Sequence, residues 1–174
     1  MRKLYYRHMD SPIGGLGLLV DEKGRVVRVA FLKGEAAHPL LAYFHPGATL
    51  VEDHERTAEL ASQLEQYFAG ERKTFELELE PEGSELQKEV WRELLAIPRG
   101  ETRSYGQIAK EIGRPGAARA VGRANATNPI PVIVPCHRVI GSDGSLTGFG
   151  GGLPMKKELL RLEGVEVQDE LSFD

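Results

Sequence analysis

The chain has 174 residues, 41% hydrophobic and 28% charged, enough apolar material for one ordinary core or two small ones. No apolar run approaches the length of a membrane span, and Met1-Arg2-Lys3-Leu4-Tyr5-Tyr6-Arg7-His8 lacks the apolar stretch of a signal peptide, so no membrane partner is expected. A formal net charge of −4 argues against a polyanionic partner for the chain as a whole, yet residues 99–138 carry seven basic side chains against two acidic ones, and the acidic excess lies in residues 71–82 and 163–174.

In chain order, residues 3–9, 16–21 and 25–32 read as short strands. The turn clusters Asp10-Ser11-Pro12-Ile13-Gly14-Gly15 and Glu22-Lys23-Gly24 separate them, which predicts an antiparallel meander. Residues 33–50 read as a polar connection containing Pro and Gly. A helix is expected over 54–69, with Ala58, Ala61, Leu64 and Phe68 on one face and Gly70 as its stop. Residues 74–80 alternate Phe75, Leu77 and Leu79 with acids, the pattern of a half-exposed strand. Pro81-Glu82-Gly83 marks the expected boundary between a domain of residues 1–82 and one of residues 83–174.

Beyond the boundary the period becomes helical. Ser84-Glu85-Leu86-Gln87 is a capping box, and Leu86, Val90, Leu94 and Ile97 line one face before Pro98-Arg99-Gly100 ends the helix. Ser104-Tyr105-Gly106-Gln107 is a second capping box, opening a helix that runs to Ile112. After the break Gly113-Arg114-Pro115-Gly116, residues 117–124 form another short helix. The succession has the shape of a helix-turn-helix, or of any hairpin of helices in a core. In the second helix nearly every side chain is small except Arg119 and Arg123, which share a face at i and i+4. Small residues allow close approach either to a neighbouring helix or to a nucleic-acid groove. Residues 141–152 hold six glycines in twelve positions, a linker or a loop whose amides approach a ligand. The last helix is expected from Pro154 through Glu163, with Gly164 as its stop.

The single cysteine, Cys136, lies in Asn128-Pro129-Ile130-Pro131-Val132-Ile133-Val134-Pro135-Cys136-His137-Arg138. A lone thiol forms no intramolecular disulfide, which favours a reducing, cytoplasmic setting. It is either a small buried hydrophobe or a nucleophile. The flanking imidazole and guanidinium favour the nucleophile, because cationic neighbours lower a thiol pKa. Side chains adjacent in an extended segment point apart, so direct contact of Cys136 with His137 requires a sharp turn or a bridging water.

Taken together these motifs resemble the O6-alkylguanine-DNA alkyltransferase family (methylated-DNA–protein-cysteine methyltransferases). The resemblance covers residues 83–164 through Val90-Trp91, Ile97-Pro98-Arg99-Gly100-Glu101, Ser104-Tyr105, Ala117-Ala118-Arg119-Ala120-Val121-Gly122, Asn128-Pro129 and Ile133-Val134-Pro135-Cys136-His137-Arg138-Val139-Ile140-Gly141. It is looser in the N-terminal half, through Tyr6 and Asp10-Ser11-Pro12-Ile13-Gly14. It implies an α+β fold, with a ribonuclease-H-like antiparallel sheet and helix followed by a winged-helix-like helical domain that carries the helix-turn-helix. It implies DNA repair by irreversible, single-turnover transfer of the O6-alkyl group of guanine to Cys136, the base being flipped out through the minor groove of double-stranded DNA. The resemblance also admits O4-alkylthymine as a second substrate. The resemblance further implies a monomer that needs no cofactor.

Roles follow by matching position. Cys136 would accept the alkyl group, with His137 as its base through a water and Glu163 orienting the imidazole. Tyr105 would bond the guanine ring, and Asn128 would brace the thiol loop. Arg119 would fill the gap left by the flipped base, and Arg123, Ala117, Ala118, Gly122 and Arg138 would meet DNA. Val139, Phe149, Gly150, Gly151 and Asn125 would line the guanine pocket. Phe149 stands where many relatives have tyrosine, which removes a phenol but keeps a stacking ring. No metal is expected, since His8, His38, His45 and His54 lack ligand spacing. Two other readings are a non-catalytic DNA-binding module, which the cysteine disfavours, and a cysteine hydrolase, which would not need a basic small-residue helix.

Overall fold

The structure, a computed structural model, describes residues 1–167. The acidic tail beyond Val167 lies outside the described residues. The chain divides into two compact units, Met1–Glu82 and a second that begins at Gly83.

The first unit is built on a four-stranded sheet in the order β3-β2-β1-β4, with β1 at Arg2–Met9, β2 at Leu16–Val20, β3 at Val26–Phe31 and β4 at Ala48–Glu52. β1, β2 and β3 form the expected antiparallel meander, with an irregularity between Leu19 and Val20. The sheet is nevertheless mixed, because β4 pairs with β1 in parallel, Arg2 opposite Ala48 and Tyr6 opposite Glu52. This corrects the wholly antiparallel expectation. A parallel neighbour requires a crossover, and helix α1 at Ala37–Phe44 lies in that crossover. Its Leu41 and Ala37 join Leu4, Leu19, Val27 and Leu32 in one core cluster. All five residues of β2 are buried, as the middle of a covered sheet requires.

Residues 33–50 are therefore not a plain connection. Pro39 hides the helix from a reading of sequence, yet it occupies the first turn, where its missing N–H has no intrahelical partner to lose. Helix α2 spans Ala58–Phe68, and its buried stripe is Leu60, Ala61, Leu64 and Tyr67. Ala58 is exposed and Phe68 half-buried, so the apolar face is rotated from the expected one. The strand expected over 74–80 is reduced to one bridge, Leu79 beside Val26. The buried amide of Gln63 explains this: it accepts from the Glu76 N–H at 2.9 Å and donates to the Glu76 carbonyl at 3.2 Å, so those groups are not free for a ladder.

In the second unit, α3 at Glu85–Leu95 and α4 at Tyr105–Glu111 both begin with a complete capping box, at Ser84/Gln87 and Ser104/Gln107. Helix α5 spans Ala118–Ala126 and buries Val121, Ala124 and Asn125. The Trp91 indole of α3 donates to the Ala124 carbonyl at 2.8 Å, fixing α3 against α5. Gly83 lies under that indole: a Cβ there would stand 2.5 Å from the Trp91 ring. A two-residue parallel pair joins β5, Arg103–Ser104, to β6, Val139–Ile140. Helix α6 spans Leu153–Leu162, with Pro154 in its first turn. No helix among the described residues is long and apolar enough to cross a membrane.

Candidate active site

The turn that carries the thiol is made by its prolines. Pro135, at φ −81° and ψ 66°, is the centre of an inverse γ-turn closed by the Cys136 N–H on the Val134 carbonyl at 2.8 Å. Val132 has φ 74°, a left-handed conformation that costs a β-branched residue of the order of 1–3 kcal/mol. Asn128 holds this strained loop. Its side-chain oxygen accepts from the Ile130 N–H at 3.0 Å, and its Nδ2 donates to the Val134 carbonyl at 2.8 Å. Cys136–Arg138 then form a short 3₁₀ turn. In such a turn successive side chains diverge by about 120°, not 180°, which removes the back-to-back geometry of an extended segment.

Within this turn the three side chains have separate surroundings. Cys136 is 4% exposed, and its carbonyl accepts from the Val139 N–H and from Asn125 Nδ2 at 3.2 Å. His137 is fully buried with Nε2 2.8 Å from Glu163 Oε2, while Nδ1 has no partner among the described residues. Arg138 is the residue whose expected role changes. Grouped from sequence with the DNA-contacting side chains, it is instead buried. Its Nε and Nη2 donate to Glu163 at 2.8 and 2.9 Å, and its Nη1 donates to the Ile97 carbonyl at 2.6 Å. All its donors turn inward because a buried Glu163 needs a full-time counter-charge. Glu163 sits at the end of α6, so one carboxylate joins that helix to both His137 and Arg138.

The electrostatics correct a second expectation. The cationic neighbours do not lower the thiol pKa on balance. Burial pushes the Cys136 thiol up to about 11, against weaker opposing effects from the Asn128 side chain and the charge of Lys156. Burial also lowers the His137 pKa, although Glu163 pulls the other way. The resting site therefore holds a neutral thiol beside a neutral imidazole at neutral pH. The cation that does act on the thiol is Lys156, missed in the sequence. It is fully buried in α6, and its Nζ donates to the carbonyls of Val139 at 2.6 Å and Thr147 at 2.9 Å. Burial brings its pKa down to about 8, against an opposing pull from Cys136. The signal was present: Lys156 stands three, four and seven positions before Leu159, Leu160 and Glu163, all buried, on one helical stripe.

Tyr105 opens α4 directly after the β5 residue Ser104, whose partner Ile140 follows the thiol turn by two residues. A side chain at Gly122 would meet the Tyr105 ring at 3.9 Å, so the ring lies along α5. The Tyr105 hydroxyl accepts from Thr147 Oγ1 at 2.7 Å. Of the remaining sequence candidates, Phe149 and Gly151 are half-buried and Gly150 is exposed, where a Cβ would stand 4.0 Å from the Ala126 carbonyl at the end of α5. Ala118, Arg119 and Arg123 are exposed on α5, and Ala117 and Gly122 are half-buried. Neither guanidinium makes an ion pair among the described residues. Helix α5 thus turns Val121, Ala124 and Asn125 inward and its two guanidiniums outward.

Comparison with known proteins agrees with this geometry. Residues 85–165 match the 6-O-methylguanine DNA methyltransferase DNA-binding domain, and residues 4–81 match the ribonuclease-like domain of the same proteins. A methylated-DNA–protein-cysteine methyltransferase of Methanosarcina acetivorans is 52% identical over 161 residues, 92% of this chain and 99% of the relative. The enzyme of that name from Mycobacterium leprae is 47% identical over 170 residues, 98% of each chain. Among solved structures, a Mycobacterium tuberculosis OGT in complex with DNA superposes with a TM-score of 0.79 at 47% identity, covering 91% of this chain and 92% of the other. The chain belongs to the O6-methylguanine-DNA methyltransferase family.

Proposed function

We propose that the protein repairs double-stranded DNA by transferring the alkyl group from O6 of guanine to its own Cys136, once per molecule. The observation that carries this reading is the buried pair Cys136 and His137 on one turn, with Glu163 of the α6 end bonded to the imidazole and Tyr105 brought beside the turn by the β5–β6 pair. The sum of the reaction is thiol plus O6-alkylguanine giving thioether plus guanine. The lesion itself is the alkyl donor, so the step needs no cofactor.

His137 acts as the base. Its lowered pKa keeps it neutral, and Nδ1 is the nitrogen left to take a proton through a bridging water. Lys156 steadies the sulfur anion as it forms, since attraction between opposite charges is strong in a buried site. The S–C bond forms as the C–O6 bond breaks, and the electron pair passes to the purine. Tyr105 gives its proton to a ring nitrogen of the departing base, and the proton that left the thiol returns through His137 to the phenol oxygen. A thioether has no route back to the thiol within this set of side chains, which is why one molecule serves once.

The target base is reached by flipping. A helix with ordinary side chains is about 10–12 Å across, against a minor groove about 6 Å wide. The small outward residues of α5 suit so close an approach, with Arg119 entering the stack behind the flipped base and Arg123 on the phosphates. We read α4 and α5 with the β5–β6 pair as a winged-helix-like helix-turn-helix, and Phe149, Gly150, Gly151, Val139 and Asn125 as the walls around the base. The protein works as a monomer, in the cytoplasm. The test is incubation of protein with duplex DNA containing O6-methylguanine. Cys136→Ala is expected to bind that DNA with unchanged affinity and to take up no methyl group. Methyl transfer to the variant would contradict the assignment.

A further inference from the structure

We propose that Thr147 is a positioning residue for the Tyr105 phenol: its hydroxyl fixes the direction in which Tyr105 offers its proton to the departing guanine. The inference rests on the role given to Tyr105 above.

The geometry begins with two hydroxyls 2.7 Å apart, Thr147 Oγ1 donating to Tyr105 Oη. A phenol oxygen that accepts one hydrogen bond keeps its own proton for a second partner. The rest of Tyr105 has little freedom. Its backbone opens α4 directly after the Ser104 capping box, and its ring lies along Gly122 of α5. Rotation of the O–H bond is what remains to be set, and a donor on one side of the oxygen sets it. That donor also eases charge onto the phenol oxygen as its proton moves toward the purine, because hydrogen bonds in a chain polarise one another.

Thr147 can do this only if it is itself held, and it lies in a loop with six glycines in twelve residues. Its backbone carbonyl accepts from Lys156 Nζ at 2.9 Å, and the same ammonium donates to the Val139 carbonyl at 2.6 Å. Leu146, immediately before it, is buried. One threonine thus joins the lysine that acts on the sulfur to the tyrosine that acts on the leaving group. In the transfer itself the thiol proton passes to His137, the phenol proton moves to the purine ring nitrogen, and the His137 proton restores the phenol. The sum remains thiol plus alkylguanine to thioether plus guanine.

Single-turnover methyl transfer from duplex O6-methylguanine DNA tests this. Thr147→Val keeps the shape and loses the donor. It is expected to lower the saturated rate constant about tenfold and to leave the half-saturating DNA concentration unchanged. Thr147→Ser restores the donor and is expected to recover the rate to within about twofold. In a Tyr105→Phe background the Thr147→Val change is expected to cost nothing further, since both remove one interaction. Two outcomes would overturn the proposal while Tyr105 keeps its role: Thr147→Ser as slow as Thr147→Val, or an undiminished cost of Thr147→Val in the Tyr105→Phe protein. A Tyr105→Phe protein with the parent rate would overturn the role of Tyr105 and this proposal with it.

Discussion

At the scale of single residues, burial is the largest influence on the resting protonation of Cys136 and His137. Cys136 is pushed up to about 11 by burial, so the resting protein stores its nucleophile as a thiol and ionises it only in the reaction. Titration of the free protein, followed by the ultraviolet absorbance of the thiolate, is expected to show a midpoint near 11. A midpoint at or below about 8.5, the unperturbed value, would contradict that picture. Glu163 is the second single residue on which much depends. It serves His137 and the buried Arg138 together, so Glu163→Gln leaves a guanidinium without its counter-charge. The variant is expected to lose about 3–5 kcal/mol of stability in denaturant unfolding and to transfer alkyl groups more slowly. A loss under about 1 kcal/mol would show that the Arg138–Glu163 pair does not hold α6 to the thiol turn.

At the scale of elements, packing decides where the chemistry stands. Helix α3 is fixed to α5 by Trp91, whose indole is bonded to the Ala124 carbonyl and whose ring covers Gly83. The ring is 2% exposed and tied at its nitrogen, so it has little room to yield. Gly83→Ala is therefore expected to cost about 1–3 kcal/mol by thermal or denaturant unfolding, and an unchanged midpoint would count against this packing. The elements also show which physical signals a sequence carries. Capping boxes were legible at Ser84 and Ser104 because both partners lie within four residues. The thiol turn was legible as a motif through Pro135-Cys136-His137-Arg138, whereas the bond of Glu163 to His137 was expected only from the family resemblance. Helix α1 was hidden because Pro39 reads as a breaker wherever its position within the helix is unknown. The parallel pairing of β4 with β1, and the two-residue pair of β5 with β6, depend on contacts distant in sequence, which no local period encodes. Residues 74–80 have a strand's alternation, but Gln63, eleven residues before their start, takes the backbone groups a strand would use. Arg138 and Lys156 were misplaced or missed for one reason: long cationic side chains read as solvent-facing until the helix or turn that buries them is known.

At the scale of the whole molecule, charge and chemistry are divided along the chain. The net charge of −4 conceals the basic excess of residues 99–138, which lie in the second unit with the thiol. A chain with an acidic total is thus expected to bind DNA with an affinity that falls as salt rises. Arg123→Ala should weaken binding to all sequences alike and reduce the slope of log affinity against log salt by about 0.9, the share of one phosphate contact. An unchanged slope would remove Arg123 from the DNA face. One sulfur, Cys136, is proposed to take the alkyl group from guanine and to keep it. The most direct test is the intact mass of the protein after exposure to excess duplex O6-methylguanine DNA, followed by peptide mapping. A single added methyl group, held on Cys136 after the DNA is removed, is expected. An adduct on another side chain, or a regenerated thiol with repeated turnover, would contradict the proposal.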